Sequence, residues 1–219
     1  MGYNIEGIIL GAVPFLLAIT FHEYAHGWVA DRLGDSTARL SGRLTFNPLK
    51  HLDFFGTIVF VLTSLTGQFV IGWAKPVPVN PFNLRDPKKG MMWVALAGFS
   101  ANLMLAALSG VLYRMISPMR MSPLASMPIE VLRPISGMIE YCIIINLMLA
   151  VFNIIPIPPL DGSKVLAGLL PPHLYQKYLL LEQYGFLVLL ILIVTGAVNV
   201  VIYPLINFFL RIFQLIGIL

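Results

Sequence analysis

Long stretches of this chain carry no charge. Uncharged apolar runs follow Glu6, Asp53, Lys89, Glu140 and Glu182, the last continuing to Arg211. A helix needs about 20 apolar residues to cross about 30 Å of hydrocarbon, so each run is a candidate span and the last has room for two. Of 219 residues, 58% are hydrophobic and only 11% charged, and the mean hydropathy is +0.86, far above a soluble domain. The expected fold is therefore an all-α polytopic membrane protein, a helical bundle. The longest non-apolar stretch, about residues 31–51, is too short for a core of its own, so residues 1–219 read as one membrane-embedded domain. The apolar N-terminal stretch lacks a basic leader and a small-residue cleavage site, so the first helix is expected to be retained. The net charge of +4 comes from basic residues set between apolar runs with no aromatic-basic stripe, which fits loops beside a lipid bilayer and excludes nucleic acid as a partner. Cys142 is the one cysteine; it cannot form an internal disulfide and reads as core packing.

The first chemical signal is His22-Glu23-Tyr24-Ala25-His26. Residues four apart share a helical face, so both imidazoles can bind one zinc while Glu23 stands ready to take a proton from water. In a soluble helix such a pattern can be only a polar face. Here a helix starting near Ile5 puts His22 roughly 26 Å along its axis, inside or at the edge of the hydrocarbon. Ionisable groups there are costly, about 2.5–3.5 kcal/mol for an acid at the centre, and usually serve a site.

A catalytic zinc keeps three protein ligands and one open position. Among the acids Asp161 stands out, because it follows an apolar run broken by Pro156, Pro158 and Pro159 and precedes Gly162. The prolines stop the helix, and Gly162 is expected to let the backbone bend before a new helix starts near Ser163. The alternative is that Asp161 merely caps that helix.

His22 to His26, the stretch Gly72-Trp73-Ala74-Lys75-Pro76-Val77-Pro78-Val79-Asn80-Pro81, and Asn153-Ile-Ile-Pro-Ile-Pro-Pro-Leu-Asp161-Gly162 together resemble the short prokaryotic members of the site-2 protease family, zinc metalloproteases that cut within membrane helices. The resemblance covers nearly the whole chain. It implies one zinc ion held by His22, His26 and Asp161, Glu23 as the catalytic glutamate, and Asn153 as a candidate for holding substrate backbone or oxyanion. It extends to Gly98-Phe99-Ser100-Ala101-Asn102, where family members often carry Gly-Pro and a nearby asparagine, so Asn102 joins Asn153 as a substrate-binding or oxyanion candidate. Phe99 departs from that proline, a change that touches helix packing. The implied activity is hydrolysis of peptide bonds in or near transmembrane segments, with a transmembrane protein or peptide as substrate, in the inner membrane of a prokaryotic cell. Longer members add PDZ or CBS domains, for which this chain has no room.

The topology follows from arithmetic. Strict alternation of the runs would finish the helices bearing His22 and Asp161 on opposite faces, where one zinc cannot reach both. The second run holds Thr63, Ser64, Thr66 and Gln68 in its middle, so it can instead enter and leave on one face, with protein or water covering its polar backbone. That re-entrant reading puts ten Lys and Arg, among them Arg32, Lys75 and Lys164, on one side against Arg114, Arg120 and Arg133 on the other. Alternation splits them seven to six. The positive-inside rule then makes the larger set cytoplasmic, with the zinc nearer that face and a re-entrant or extended segment between the first and third runs.

Residues 72–81, rich in Pro, Val and Asn, read as extended chain, which either pairs with an unwound substrate by strand addition or packs as a rigid loop over the site. His51 and His173 read as solvated or capping. Asn146 and Asn153, seven apart, share a face that lines a cavity or ties helices together. Gly196, Asn199 and Pro204 mark a turn between two short helices, and Trp73 and Trp93 suit interfacial anchors. Two other readings compete with the zinc endopeptidase. One is a membrane HExxH protease with Glu140 or Glu182 as third ligand; the other is a non-enzymatic metal-binding or transport protein. Transport calls for further intramembrane acids or histidines, and the spans are almost devoid of them.

Overall fold

The computed structural model describes residues 5–66, 72–121 and 128–219. These form α1 (Ile5–Arg32), α2 (Thr37–Leu40), α3 (Phe54–Thr66), α4 (Pro87–Met121), α5 (Ile129–Asn153), α6 (Asp161–Leu169), α7 (Pro172–Val194) and α8 (Asn199–Leu215). Pro87–Ser117, Glu130–Asn153 and Pro172–Val194 are long and apolar enough to cross a membrane. The first helix, 28 residues long, is of comparable length, with Glu6 near its start and its other charged residues in its C-terminal half. At the centre α4 packs against α1, α5 and α6, while α1 also meets α5 and α5 meets α8. Alanines make the close approaches: Ala18, Ala95, Ala106 and Ala150 are fully buried, as expected where small residues let helix backbones near one another. Large apolar side chains such as Leu108, Leu180 and Ile191 point outward, while Thr20, Asn102 and Asn146 lie inside. This distribution belongs to a bundle whose solvent is lipid, and it bears out the all-α membrane fold.

The ends of the second apolar run meet. Leu52 and Ala74 form an antiparallel bridge, the one β pairing among the described residues, and the Lys75 N–H donates to the His51 carbonyl at 2.9 Å. The run therefore leaves and rejoins the same end of the bundle, as the re-entrant reading requires. Gly67, Gln68 and the rest of its turn, residues 67–71, lie outside the described residues.

Behind the bridge the chain is tied to the loop after α1. Asp35, fully buried, accepts from the Asn80 N–H (2.6 Å), from the Asn83 Nδ2 (2.9 Å), from the Thr37 N–H (3.1 Å) and from the Thr37 hydroxyl. Burial alone would raise its pKa, but these donors outweigh it and hold the carboxyl below the ordinary carboxylate range. A group with a depressed folded pKa contributes stability above its unfolded value, about 3.9, and loses it as pH falls through the folded value. Asp35→Asn, which can no longer accept from every donor, is expected to cost about 1–3 kcal/mol at neutral pH. Thermal melts of both forms across pH should show that gap close below the carboxylate range.

A second tie comes from Arg43. Gly42, at φ +65°, ends α2 with Arg43 N–H on the Ala38 carbonyl at 2.9 Å, a Schellman turn. It turns the Arg43 side chain inward, where Nη2 donates to the carbonyls of Lys75 (2.8 Å) and Pro76 (3.3 Å).

Two local expectations need adjusting. His51 is not solvated: it is fully buried and its Nε2 lies 2.8 Å from the Thr45 carbonyl, because the loop folds over it to form the bridge. The helix after the prolines starts at Asp161 rather than Ser163. The third apolar run is a span as expected, and α4, with 35 residues, extends it past the flanking charges at both ends. The turn at Gly196, φ +73°, does separate α7 from α8, His173 is exposed, and Phe99 packs on Phe209 of α8 with ring centroids 6.4 Å apart.

Candidate metal centre

Two turns from its C-terminus α1 carries His22 and His26 on one face, each 8% exposed. Asp161 meets them from the first position of α6. The prolines before it produce an irregular turn closed by Ile157 N–H on the Ile155 carbonyl (2.8 Å) and Leu160 N–H on the Ile157 carbonyl (3.0 Å), and the Pro158–Pro159 peptide is cis. Leu160, extended at φ −66° and ψ 156°, is the residue that caps α6. Asp161 is therefore free of capping duty, and its carboxylate at the helix N-terminus is favoured by the dipole. Gly162 serves a close approach rather than a bend: a Cβ there would run into the carbonyls of Ile154 and Ile155.

Three ligand atoms converge. Asp161 Oδ2 is 3.1 Å from His22 Nε2 and 2.9 Å from His26 Nε2, and the two Nε2 atoms are 3.0 Å apart. Each histidine presents a lone pair to this point, because its other nitrogen has an acceptor to serve. His26 Nδ1 is 2.7 Å from the Val94 carbonyl, which can only accept. His22 Nδ1 is 2.5 Å from Asn102 Oδ1. With Nδ1 as the donor of each neutral ring, both Nε2 atoms turn a lone pair toward the Asp161 carboxylate oxygen. Such a cluster calls for a cation among its members, a metal ion or a proton. Zinc bonds of about 2.0–2.1 Å at tetrahedral angles separate ligand atoms by about 3.3 Å, close to what the triangle provides. The residues fit zinc. The cluster is the one grouping of at least three such ligands among the described residues.

The other carboxylate oxygen, Asp161 Oδ1, accepts from Lys164 Nζ at 3.1 Å, which leaves Oδ2 to the histidines. Glu23, half-buried, accepts the Val77 N–H on Oε2 at 2.7 Å. The extended segment 72–80 is thus held over the site by Glu23, Arg43 and Asp35 through its own backbone.

Asn102 lies behind His22, fully buried, with both ends of its amide bonded within the protein. Asn153, the last residue of α5, donates from Nδ2 to the Leu149 carbonyl at 3.0 Å. Glu140 and Glu182 are exposed and stand outside the cluster.

One essential contact has no chemical group to announce it. Gly98 of α4 faces both imidazoles, and a Cβ on it would lie 2.5 Å from His26 Cε1 and 2.6 Å from His22 Cε1. Gly98→Ala must therefore displace a ring. It is expected to lower zinc affinity about 10–100-fold, as loss of outer-shell support does, measured by competition with a chromogenic chelator.

The model of "Peptidase family M50" matches residues 112–194, a stretch that includes Asp161 but not the His22–His26 segment. The chain is 37% identical over 195 residues to the Bacillus subtilis protein named "Putative zinc metalloprotease YwhC", covering 89% of this chain and 84% of that one. It is 29% identical over 204 residues to "Putative zinc metalloprotease Rip2" of Mycolicibacterium smegmatis, covering 92% and 73%. No solved structure matches.

Proposed function

This chain belongs to peptidase family M50, the site-2 proteases, and on that footing we propose that it is an intramembrane zinc endopeptidase hydrolysing peptide bonds within or near transmembrane segments, in the manner of regulated intramembrane proteolysis. The observation that carries the proposal is the triangle of His22 Nε2, His26 Nε2 and Asp161 Oδ2 about 3 Å on a side, with Glu23 next to His22 in sequence. When bound, zinc supplies Lewis acidity, which makes water nucleophilic near neutral pH. Glu23 takes the proton from the attacking water and returns it to the leaving amine. Asn153 is the proposed contact for substrate backbone or oxyanion, since the chain bends there from α5 toward Asp161. Because the inner backbone groups of 75–80 are held by Arg43, Glu23 and Asp35, the segment acts as a rigid cover over the site, and an unwound substrate would pair along its other edge. The direct experiment is cleavage of a single-span model substrate by wild type and Glu23→Gln side by side.

The proposed setting is a prokaryotic cell membrane with the zinc toward the cytoplasm, and labelling tests it. The Asp35 contact with Asn83 puts the loop after α1 and the segment before α4 at the same end of the bundle. In a Cys142→Ser background, cysteines at the exposed Leu40 and Phe82 should react with an impermeant thiol reagent from the cytoplasmic face, and one at the exposed Glu130 from the other. Reaction of Leu40 and Phe82 from different faces would remove the re-entrant topology. Ser122, the natural probe of the opposite loop, lies outside the described residues.

A further inference from the structure

The bond that readies His22 for metal is ambiguous where that of His26 is not. A backbone carbonyl can only accept, so Val94 forces the proton of His26 onto Nδ1. The partner of His22 is an amide, and an amide has two ends. Turned over, Asn102 would present Nδ2 to His22 Nδ1, drive the proton to Nε2 and aim an N–H at the metal position. His22 would then be no ligand. The orientation of one carboxamide therefore decides whether the site can hold zinc.

Two further carbonyls settle that orientation from a distance. Asn102 Nδ2 donates to the Ala18 carbonyl at 3.3 Å and to Asn146 Oδ1 at 2.9 Å. Asn146 in turn donates from Nδ2 to the Cys142 carbonyl, one turn back on α5, at 2.8 Å. The carbonyls of Ala18 and Cys142 can only accept, and the Cys142 Sγ is a further, weak acceptor for the same Asn146 Nδ2 at 3.4 Å, so they fix the sense of both amides, and the chain ends on Asn102 Oδ1 accepting from His22. Asn102 and Asn146 are each 0% exposed, so bulk water cannot take the place of a missing partner, and an unmade bond there bears its full desolvation cost.

We propose that Asn102 and Asn146 are positioning residues for the metal, a relay from α5 through α4 that sets the tautomer of His22, and that Asn102 therefore serves the metal rather than the substrate. The inference rests on the zinc reading above. The two amides also tie α1, α4 and α5 together where these helices cross, so the helix packing and the competence of the site depend on the same bonds.

The test measures two quantities on the intact chain in detergent micelles: zinc affinity by chelator competition, and the ¹⁵N shifts of His22 after the metal is stripped, at a pH where its imidazole is neutral. Asn102→Leu should lower affinity about 10–100-fold and Asn146→Leu about tenfold, the range for outer-shell partners of a ligating histidine. Both should move His22 from pure Nδ1–H toward a mixture of tautomers. Asn102→Asp, which presents an acceptor to His22 in either sense, should keep the tautomer, at a cost in stability because its second oxygen faces the Ala18 and Asn146 acceptors. In its background Asn146→Leu should lose most of its effect, a dependence that loss of packing alone would not produce. Ser136→Ala, equally buried on α5 but bonded only to the Arg133 carbonyl of its own helix, should change neither reading. Wild-type affinity and tautomer in Asn146→Leu would overturn the relay. So would an equal loss from Asn146→Leu in the wild-type and Asn102→Asp backgrounds. A wild type with pure Nδ1–H at His22 but no zinc would overturn the metal role while leaving the hydrogen-bonded chain as found, which separates the failure of the site from that of the relay.

Discussion

Asp161→Ala is expected to empty the metal site, with zinc affinity falling by at least a hundredfold, beyond the roughly 10–100-fold that outer-shell changes cost. The carboxylate supplies one of three ligand atoms and the negative charge that offsets the cation, and nothing nearby replaces it. Lys164, the other partner of this carboxylate, would then stand beside the site as an uncompensated positive charge and disfavour the cation further. Glu140→Ala and Glu182→Ala should keep one zinc per chain, because both side chains are exposed and outside the cluster. Metal analysis of the three purified variants decides the matter. Zinc kept by Asp161→Ala and lost by a glutamate variant would transfer the third ligand to that glutamate. Since metal binding and folding are coupled, the Asp161 variant should also melt earlier than wild type in the presence of zinc and much like it under chelation.

Much of the site is legible in the sequence because the lipid-facing chain is so apolar. A histidine pair or an aspartate inside a run of Leu, Ile and Val has no ordinary reason to be there, so His22, His26 and Asp161 stand out before any fold is known. The meeting of the two ends of the second run at Leu52 and Ala74 is legible for a related reason, since polar residues in the middle of that run and the imbalance of basic residues favour the arrangement in which the ligands meet.

What could not be read depends on contacts between distant segments. Asp35 looks like any loop acid, and only the fold brings Asn80 and Asn83 onto it. His51 looks solvated until the Leu52–Ala74 bridge encloses it. Gly98 carries no group at all; the motif it opens marks its position, but its role, the space it leaves for two imidazoles, shows only where α4 packs on α1. Asn102 and Asn146 are 44 positions apart, and the sense of their amides depends on the carbonyls of Ala18 in α1 and Cys142 in α5. Asp161 shows the boundary well. The prolines announce that a helix must stop before it, but whether the side chain caps α6 or faces the histidines depends on the backbone at Leu160.

Glu23→Gln should separate metal binding from chemistry. Glutamine matches glutamate in size, and its carbonyl oxygen can still accept the Val77 N–H that Oε2 accepts now, so the segment over the site should stay in place. The three metal ligands are untouched, and zinc should remain at one per chain. Glutamine cannot take a proton from water or deliver one to the leaving amine, and loss of general acid–base help costs about 10²–10⁴-fold in rate, or roughly 3–5 kcal/mol on the barrier. The loss should fall on kcat with KM little changed, the mark of an interaction made only in the transition state. Glu23→Leu makes a useful companion, since it also removes the acceptor for Val77. It should be equally inactive, and in addition should expose the amide of Val77 to hydrogen exchange, which Glu23→Gln should not. Cleavage of a single-span substrate by Glu23→Gln at the wild-type rate would take this residue out of the mechanism. Loss of zinc in the same variant would make Glu23 a support of the metal rather than the group that moves the proton.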